Sequence, residues 1–285
     1  MSDISFETLG EQELYSLFSD TIERHGMLEE IDRVVFLFSG GKDATLGLLF
    51  LNKYIKENKL SIALEALMVA YPKHVYYLED GTEAQCFKKT KKFWEEQQVK
   101  LVVFDSDESD FGEDTEGACK ICKDARKKIV DGYLEKYIKQ GKTAVATGYT
   151  LYDAMAYMDE ICLVCNYDFN NITEEDLVKN RIFNCLHKMN AKELLPNGLR
   201  IIRPLIAMKE NSILDVVNAL CIPYIDRGCK AATNKHKREY FRVLNVAAPI
   251  NNVTYEGLLE FVKKINVKMP KEFDDIKLGN YFTDC

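Results

Sequence analysis

No apolar run in the 285 residues approaches the length needed to cross a bilayer. The opening Met1-Ser2-Asp3-Ile4-Ser5 lacks the basic-then-apolar pattern of a secretory signal, so a cytoplasmic protein without a membrane partner is expected. There is no internal repeat, no low-complexity tract, and nothing in the composition that points to disorder. Net positive charge is missing too. At a formal −7 the chain has no global attraction for nucleic acid, and any polyanion must be held by a local basic patch. Nine cysteines without a secretory signal argue against a disulfide scaffold and for reduced thiols, metal or sulfur chemistry. What is present is ordinary for a folded protein: 47% hydrophobic and 29% charged residues, enough for one large α/β domain with extensions or for two modest ones.

Helical and strand patterns alternate along the chain. Leu14, Leu17, Phe18 and Ile22 form a helix-spaced stripe within Glu11–His25, and Gly26 is placed to cap it. Val34–Phe38 reads as a strand buried on both faces, followed by a helix to about Lys56. Further strands are predicted at Ala63–Ala70, Leu101–Phe104, Thr143–Thr147 and Ile201-Ile202, the last being the fifth. Helices are predicted at Cys86–Gln97, with Phe87 and Trp94 buried, at Asn211–Leu220, and from Thr254 onward. Tyr167–Gly198 is read as a helical excursion, and the acidic insert Asp105–Glu116 as a solvated, mobile loop. This order predicts an α/β, Rossmann-like, mostly parallel sheet with helices on both faces and helical extensions at the two ends. Three parts follow: a helical extension over 1–30, a catalytic domain over 31–250 and a helical tail over 251–285.

Ser39-Gly40-Gly41 links the first strand to its helix. A glycine turn there aims free N–H groups and the positive end of a helix dipole at one point, which suits a phosphate. The alternative is a plain turn. It is not a Walker A loop, because position 36 is Phe and Asp43 stands where a hydroxyl would meet magnesium.

Cys119-Lys120-Ile121-Cys122 has the spacing that lets two thiols reach one metal, and leaves zinc, an iron–sulfur cluster, a redox dithiol and coincidence all open. Cys229, after Pro223-Tyr224-Ile225 and Gly228, sits at another expected strand-end loop. Three thiolates are one short of a closed zinc site, but they leave one iron of a cubane cluster open. Cys162 and Cys165 lie in an apolar run and read as core, as do the isolated Cys86, Cys185, Cys221 and Cys285. Lys120, Lys123, Arg126, Lys127 and Lys128, and then Lys230, Lys235, Lys237, Arg238 and Arg242, flank the proposed thiol site with positive charge. Solvated helix faces have the same composition.

Ser39-Gly40-Gly41-Lys42-Asp43 resembles the SGGxD signature of the PP-loop ATP pyrophosphatases, which split ATP between its α and β phosphates. The order of the other pieces resembles the tRNA 2-thiocytidine synthetase branch of that family: Met27–Val34, Cys119 and Cys122 with Arg126, Thr147-Gly148-Tyr149-Thr150-Leu151-Tyr152-Asp153, Arg203-Pro204-Leu205 with Glu210, and Ile222-Pro223 through Cys229. Departures are Ala44 for a serine, Tyr149-Thr150 for paired histidines, Asp226 for a further cysteine, and Lys230-Ala231-Ala232 for Gly-Ser-Gln.

The resemblance implies an adenine-nucleotide alpha-hydrolase fold and ATP, Mg2+ and a 4Fe-4S cluster as cofactors. The implied nucleotide residues are Ser39, Gly40, Gly41, Lys42, Asp43, Ala44, Thr45, Ala70, Gly148 and Asp153, with Asp43 and Asp153 as candidates for magnesium or for orienting the nucleotide. The implied cluster ligands are Cys119, Cys122 and Cys229, which with Lys42 and Asp43 form the catalytic set. A carbonyl oxygen would be adenylated with release of pyrophosphate and then replaced by sulfur from a sulfide or persulfide donor. The substrate is a tRNA base or a small carbonyl compound. A cluster-free persulfide route, a homodimer, and a non-enzymatic regulator holding structural zinc also stay open.

Overall fold

The computed structural model describes residues 4–110, 117–138, 142–164, 184–195, 197–231 and 236–264. Its elements are α1 (Leu9–Arg24), β1 (Arg33–Leu37), α2 (Lys42–Glu57), β2 (Ala63–Val69), α3 (Lys73–Tyr76), α4 (Gln85–Glu96), β3 (Lys100–Phe104) and α5 (Ala118–Ile138). Next come β4 (Thr143–Ala146), α6 (Leu151–Val164), β5 (Lys192–Leu194), β6 (Arg200–Ile202), α7 (Glu210–Ala219), α8 (His236–Ile250) and α9 (Tyr255–Lys264).

One six-stranded sheet runs β3-β2-β1-β4-β6-β5. All pairings are parallel except β5 with β6, which is antiparallel. Alternation along the strands explains the layering. Val34, Phe36, Ala66, Met68, Ala144 and Ala146 face a core shared with α1, α2, α4, α6 and α7. Val35, Leu67, Val69, Val145 and Ile201 face the other way, onto α5 residues such as Val130 and Leu134. The central strands are therefore mostly apolar on both faces, as strands covered on both sides must be, and buried Glu65 in β2 is held by Tyr137 and Lys100.

β1, β2 and β3 are laid down outward in one direction. The chain then crosses back through α5 to place β4 on the opposite side of β1. The carboxyl ends of β1 and β4 thus flank a topological switch point, where such sheets open a crevice. No helix among the described residues is long and apolar enough to cross a membrane.

Two expectations need correction. Lys192–Leu194 lies in the segment read as helical, yet it forms the antiparallel edge strand, so Ile201-Ile202 belongs to the sixth strand rather than the fifth. Lys-Glu-Leu carries no strand preference of its own, and pairing with β6 creates the element. Residues 167–183 and 196 of that segment lie outside the described ones, as do Cys165, Cys285 and the side chain of Cys162. The first helix begins at Leu9 rather than Glu11, because Thr8 and Glu11 close a reciprocal capping box. The fifteen-residue α8 had no counterpart among the expected helices.

Candidate active site

The turn after β1 is built on Gly40, at φ +80°, a conformation that β-carbons disfavour. A β-carbon there would also stand 2.4 Å from Ile225 Cδ1. The Ile225 N–H donates to the Gly40 carbonyl at 2.7 Å, so the 222–231 segment docks directly on the turn. Gly40→Ala is expected to destabilise the protein by about 1–2 kcal/mol and displace Ile225, read out as a lowered urea midpoint. An unchanged midpoint would show that the turn tolerates a side chain. Gly41 is the N-cap of α2 and contributes no side chain, so the first N–H groups of the helix stay uncapped by side chains. Gly148, at the end of β4, approaches Ala44 so closely that a β-carbon would sit 3.1 Å from its backbone nitrogen and Cα. This contact sets the depth of the crevice between β1 and β4.

Lys42 and Asp43 open α2 under strong mutual constraint. Lys42 Nζ donates to Asp43 Oδ2 at 3.1 Å and also to Glu210 Oε1, the latter from the first residue of α7. Burial works against the Lys42 ammonium, but the two carboxylates outweigh it and hold its pKa above the usual range. Asp43 is pushed up to about 6, first by burial and then by Glu210 and Asp153, with Lys42 opposing. Asp43 Oδ1 and Glu210 Oε2 are buried without hydrogen-bond partners, and so are the hydroxyls of Thr45 and Thr147. Orphaned acceptors in one place fit a site completed by a bound cation or ligand donor. Asp153 accepts from the Thr150 backbone N–H at 3.0 Å and from its hydroxyl at 3.3 Å, which fixes it at the start of α6.

A cavity of about 450 Å³ opens beside this turn. Ser39, Asp43, Ala44, Gly148 and Asp153 line it, and so do Cys119, Cys122 and Cys229. Gly40, Gly41, Lys42 and Thr45 belong to the same turn without forming its wall, and Ala70 is fully buried behind it. Cys119, Cys122, Arg126 and Val130 recur on one face of α5, which delivers two thiols and a cation together. Cys119 is exposed, Cys122 buried and Cys229 half-buried, and none of the three is in a disulfide. Burial raises the Tyr71 phenol, and Cys122, Asp110, Glu108 and Cys229 add to it, which places Tyr71 between the two thiol-bearing segments. The described residues contain no group of three or more His, Cys, Asp or Glu side chains already drawn close enough to hold a metal ion. In number, donor chemistry and shared cavity the three cysteines nonetheless fit a cluster, which would have to draw them together.

Several lining residues were missed in the sequence: Tyr71, Tyr76 and Arg227 among them. The Tyr76 hydroxyl donates to the Ser39 carbonyl at 3.2 Å, and Arg227 Nη1 donates to the Tyr77 carbonyl at 3.2 Å. Spacing could not signal them, because Tyr71 and Tyr76 come from the connection after β2 and Arg227 from the 222–231 segment, and only the fold brings these together. Of the basic flanks, Arg126 and Lys127 reach the cavity wall. Lys235 and the side chains of Lys237 and Arg238 lie outside the described residues. The acidic insert is anchored where it is described. Asp110 accepts from the His74 backbone N–H at 2.8 Å, and the Ser109 carbonyl accepts from the Tyr71 hydroxyl at 3.0 Å.

No known family and no curated protein matches the chain in sequence. Solved structures do match in shape. The U34-tRNA thiolase NcsA from Methanococcus maripaludis, solved with its [4Fe-4S] cluster, superposes with a TM-score of 0.64 at 18% identity, over 94% of this chain and 84% of that one. NMN synthetase from Francisella tularensis gives a TM-score of 0.42 at 14% identity, over 97% of this chain and 94% of that one. The first likeness establishes the fold.

Proposed function

We propose that this chain, which shares its fold with a tRNA thiolase, is an ATP-dependent PP-loop enzyme that replaces a carbonyl oxygen with sulfur. The observation that carries the reading is a single cavity lined both by Ser39 and Asp43 of the glycine turn and by Cys119, Cys122 and Cys229. Activation of an oxygen and delivery of a sulfur need those two groups within one ligand's reach.

The uncapped N–H groups of α2 and the Lys42 ammonium receive the phosphates and stabilise charge on the departing pyrophosphate. Asp43 and Glu210 hold Lys42 and each keeps one buried oxygen without a partner, and with Asp153 near Asp43 they offer the seat for the magnesium that accompanies ATP. The substrate carbonyl oxygen attacks the α-phosphorus, and the adenylated oxygen later leaves as AMP when sulfur takes its carbon. Cys119, Cys122 and Cys229 are the residues that would hold a 4Fe-4S cluster, which supplies an iron with an open position for sulfide when bound. Arg126, Lys127 and Arg227 line the same cavity and favour an anionic substrate. A tRNA fits by presenting one unstacked base to a cavity of this size, and a small carbonyl compound fits it whole.

Anaerobic purification with iron and acid-labile sulfide analysis tests the sulfur half. The expected result is about four irons per chain, lost in each of Cys119→Ala, Cys122→Ala and Cys229→Ala while circular dichroism stays unchanged. Iron bound equally well by all three variants would overturn the assigned ligands. Stoichiometric zinc with no iron after reconstitution would move the chemistry to a persulfide on one of these thiols.

A further inference from the structure

We propose that His74, oriented by Asp110, is a positioning residue that holds Cys229 in the cavity through the Lys230 backbone amide. The Lys230 N–H donates to His74 Nε2 at 3.1 Å. An amide nitrogen can only donate, so Nε2 is the acceptor in this contact and Nδ1–H is left to donate on the other side of the ring. That Nδ1–H faces the Asp110 carboxylate at 2.9 and 3.0 Å, and the same carboxylate accepts the His74 backbone N–H at 2.8 Å. The carboxylate therefore sets both the tautomer and the orientation of the ring. The imidazole itself is 8% exposed, while the Lys230 amide that it receives lies at the surface.

The consequence falls on the cysteine. The stretch from Ile225 to Lys230 is pinned at one end by the Ile225 N–H to Gly40 carbonyl bond and at the other by His74, with Arg227 held at the Tyr77 carbonyl between them. Cys229 is the residue next to the second pin. With Nε2 occupied by an amide, His74 is not a proton acceptor for substrate, and its effect passes through chain placement. The described end of the acidic insert thereby acquires a structural role, since it brings Asp110 to the back of His74. The catalytic meaning of this linkage rests on the proposed role of Cys229, but the linkage itself does not.

Amide hydrogen exchange on the full chain as purified, resolved over residues 226–231, tests the linkage without ATP or substrate. His74→Phe is expected to speed exchange of the Lys230 amide about tenfold, the equivalent of about 1.4 kcal/mol for one lost hydrogen bond. Protection of β1 and β4 should not change. His74→Gln, whose side-chain oxygen can take the place of Nε2, should restore the protection, and Asp110→Ala should lose part of it. In turnover, His74→Phe should lower kcat with little change in KM for ATP. Unchanged Lys230 exchange in His74→Phe, or faster exchange throughout the sheet, would overturn the positioning role. Localised exchange with unaltered turnover would keep the linkage and instead overturn the part assigned to Cys229 in catalysis.

Discussion

Asp43→Ala is expected to cut pyrophosphate release from ATP by about a hundredfold or more, the scale on which one preorganised charged or donor group acts. Asp43 lines the cavity beside Ser39, has one oxygen on Lys42 and leaves the other without a partner. A pyrophosphate-release assay decides the matter, and a variant within about twofold of the parent rate would remove Asp43 from the ATP site. The pH dependence is distinctive. With its pKa pushed up to about 6, Asp43 takes up a proton as pH falls through that value, so on the proposed function kcat/KM for ATP, which reports the nucleotide-free protein, should fall below pH 6.

The same shift has a stability signature of opposite benefit. The folded protein holds this proton more tightly than the unfolded chain, whose aspartate titrates near 3.8. Stability from this group is therefore greatest at low pH and is lost as pH rises from about 4 through about 6. The difference corresponds to about 3 kcal/mol, an upper figure because 29% of the side chain still meets solvent. Asp43→Asn should thus make the nucleotide-free protein more stable at pH 8, with an advantage that disappears toward pH 4. Urea unfolding at the two pH values gives the answer, and equal differences at both would dismiss the raised pKa. A carboxylate kept at a cost in stability is what a ligand site requires, because the ligand supplies the missing partner.

The second large effect lies away from the proposed phosphate site. Arg203→Met is expected to destabilise the protein by about 3–5 kcal/mol, the range seen when one member of a buried ion pair is removed. Arg203 is fully buried. Its guanidinium donates to the Asn190 carbonyl and to Glu193 Oε2 at 3.3 and 3.4 Å. Glu193 Oε1 in turn accepts from Asn190 Nδ2 at 2.8 Å and lies 3.0 Å from His187 Nδ1. Removing the guanidinium would leave the Glu193 carboxylate buried with weaker partners. The double variant Arg203→Met with Glu193→Leu should recover part of the loss, since removing both charges also removes the desolvation penalty. Chemical denaturation of the two proteins checks this, and a single variant costing under about 1 kcal/mol would show that the pair contributes little. Arg203 also lies 5.7 Å from the ring centre of Tyr149, a cavity residue, so the single variant should disturb the site as well.

Much of the site was legible in the sequence because its parts are local. Ser39–Asp43 is a contiguous strand–turn–helix, and Cys119 and Cys122 are placed by helical spacing alone. Residues joined only by topology were less legible. Glu210 was seen beside Arg203-Pro204-Leu205, but nothing in its neighbourhood shows that it reaches Lys42 across 168 positions. His74, Asp110 and Lys230 carry no spacing signal, since each comes from a different loop.

The amino-acid sequence alone determined the alternation of buried strands and amphipathic helices, the glycine turn and the paired thiols, because each depends on interactions within a few residues. Tertiary structure decided the edge strand β5, the meeting of Cys229 with Cys119 and Cys122 at one cavity, and the charge states of Lys42 and Asp43. Strand pairing, cavity walls and pKa shifts depend on burial and on groups far apart in the chain, and only the crossovers of the sheet bring those groups together.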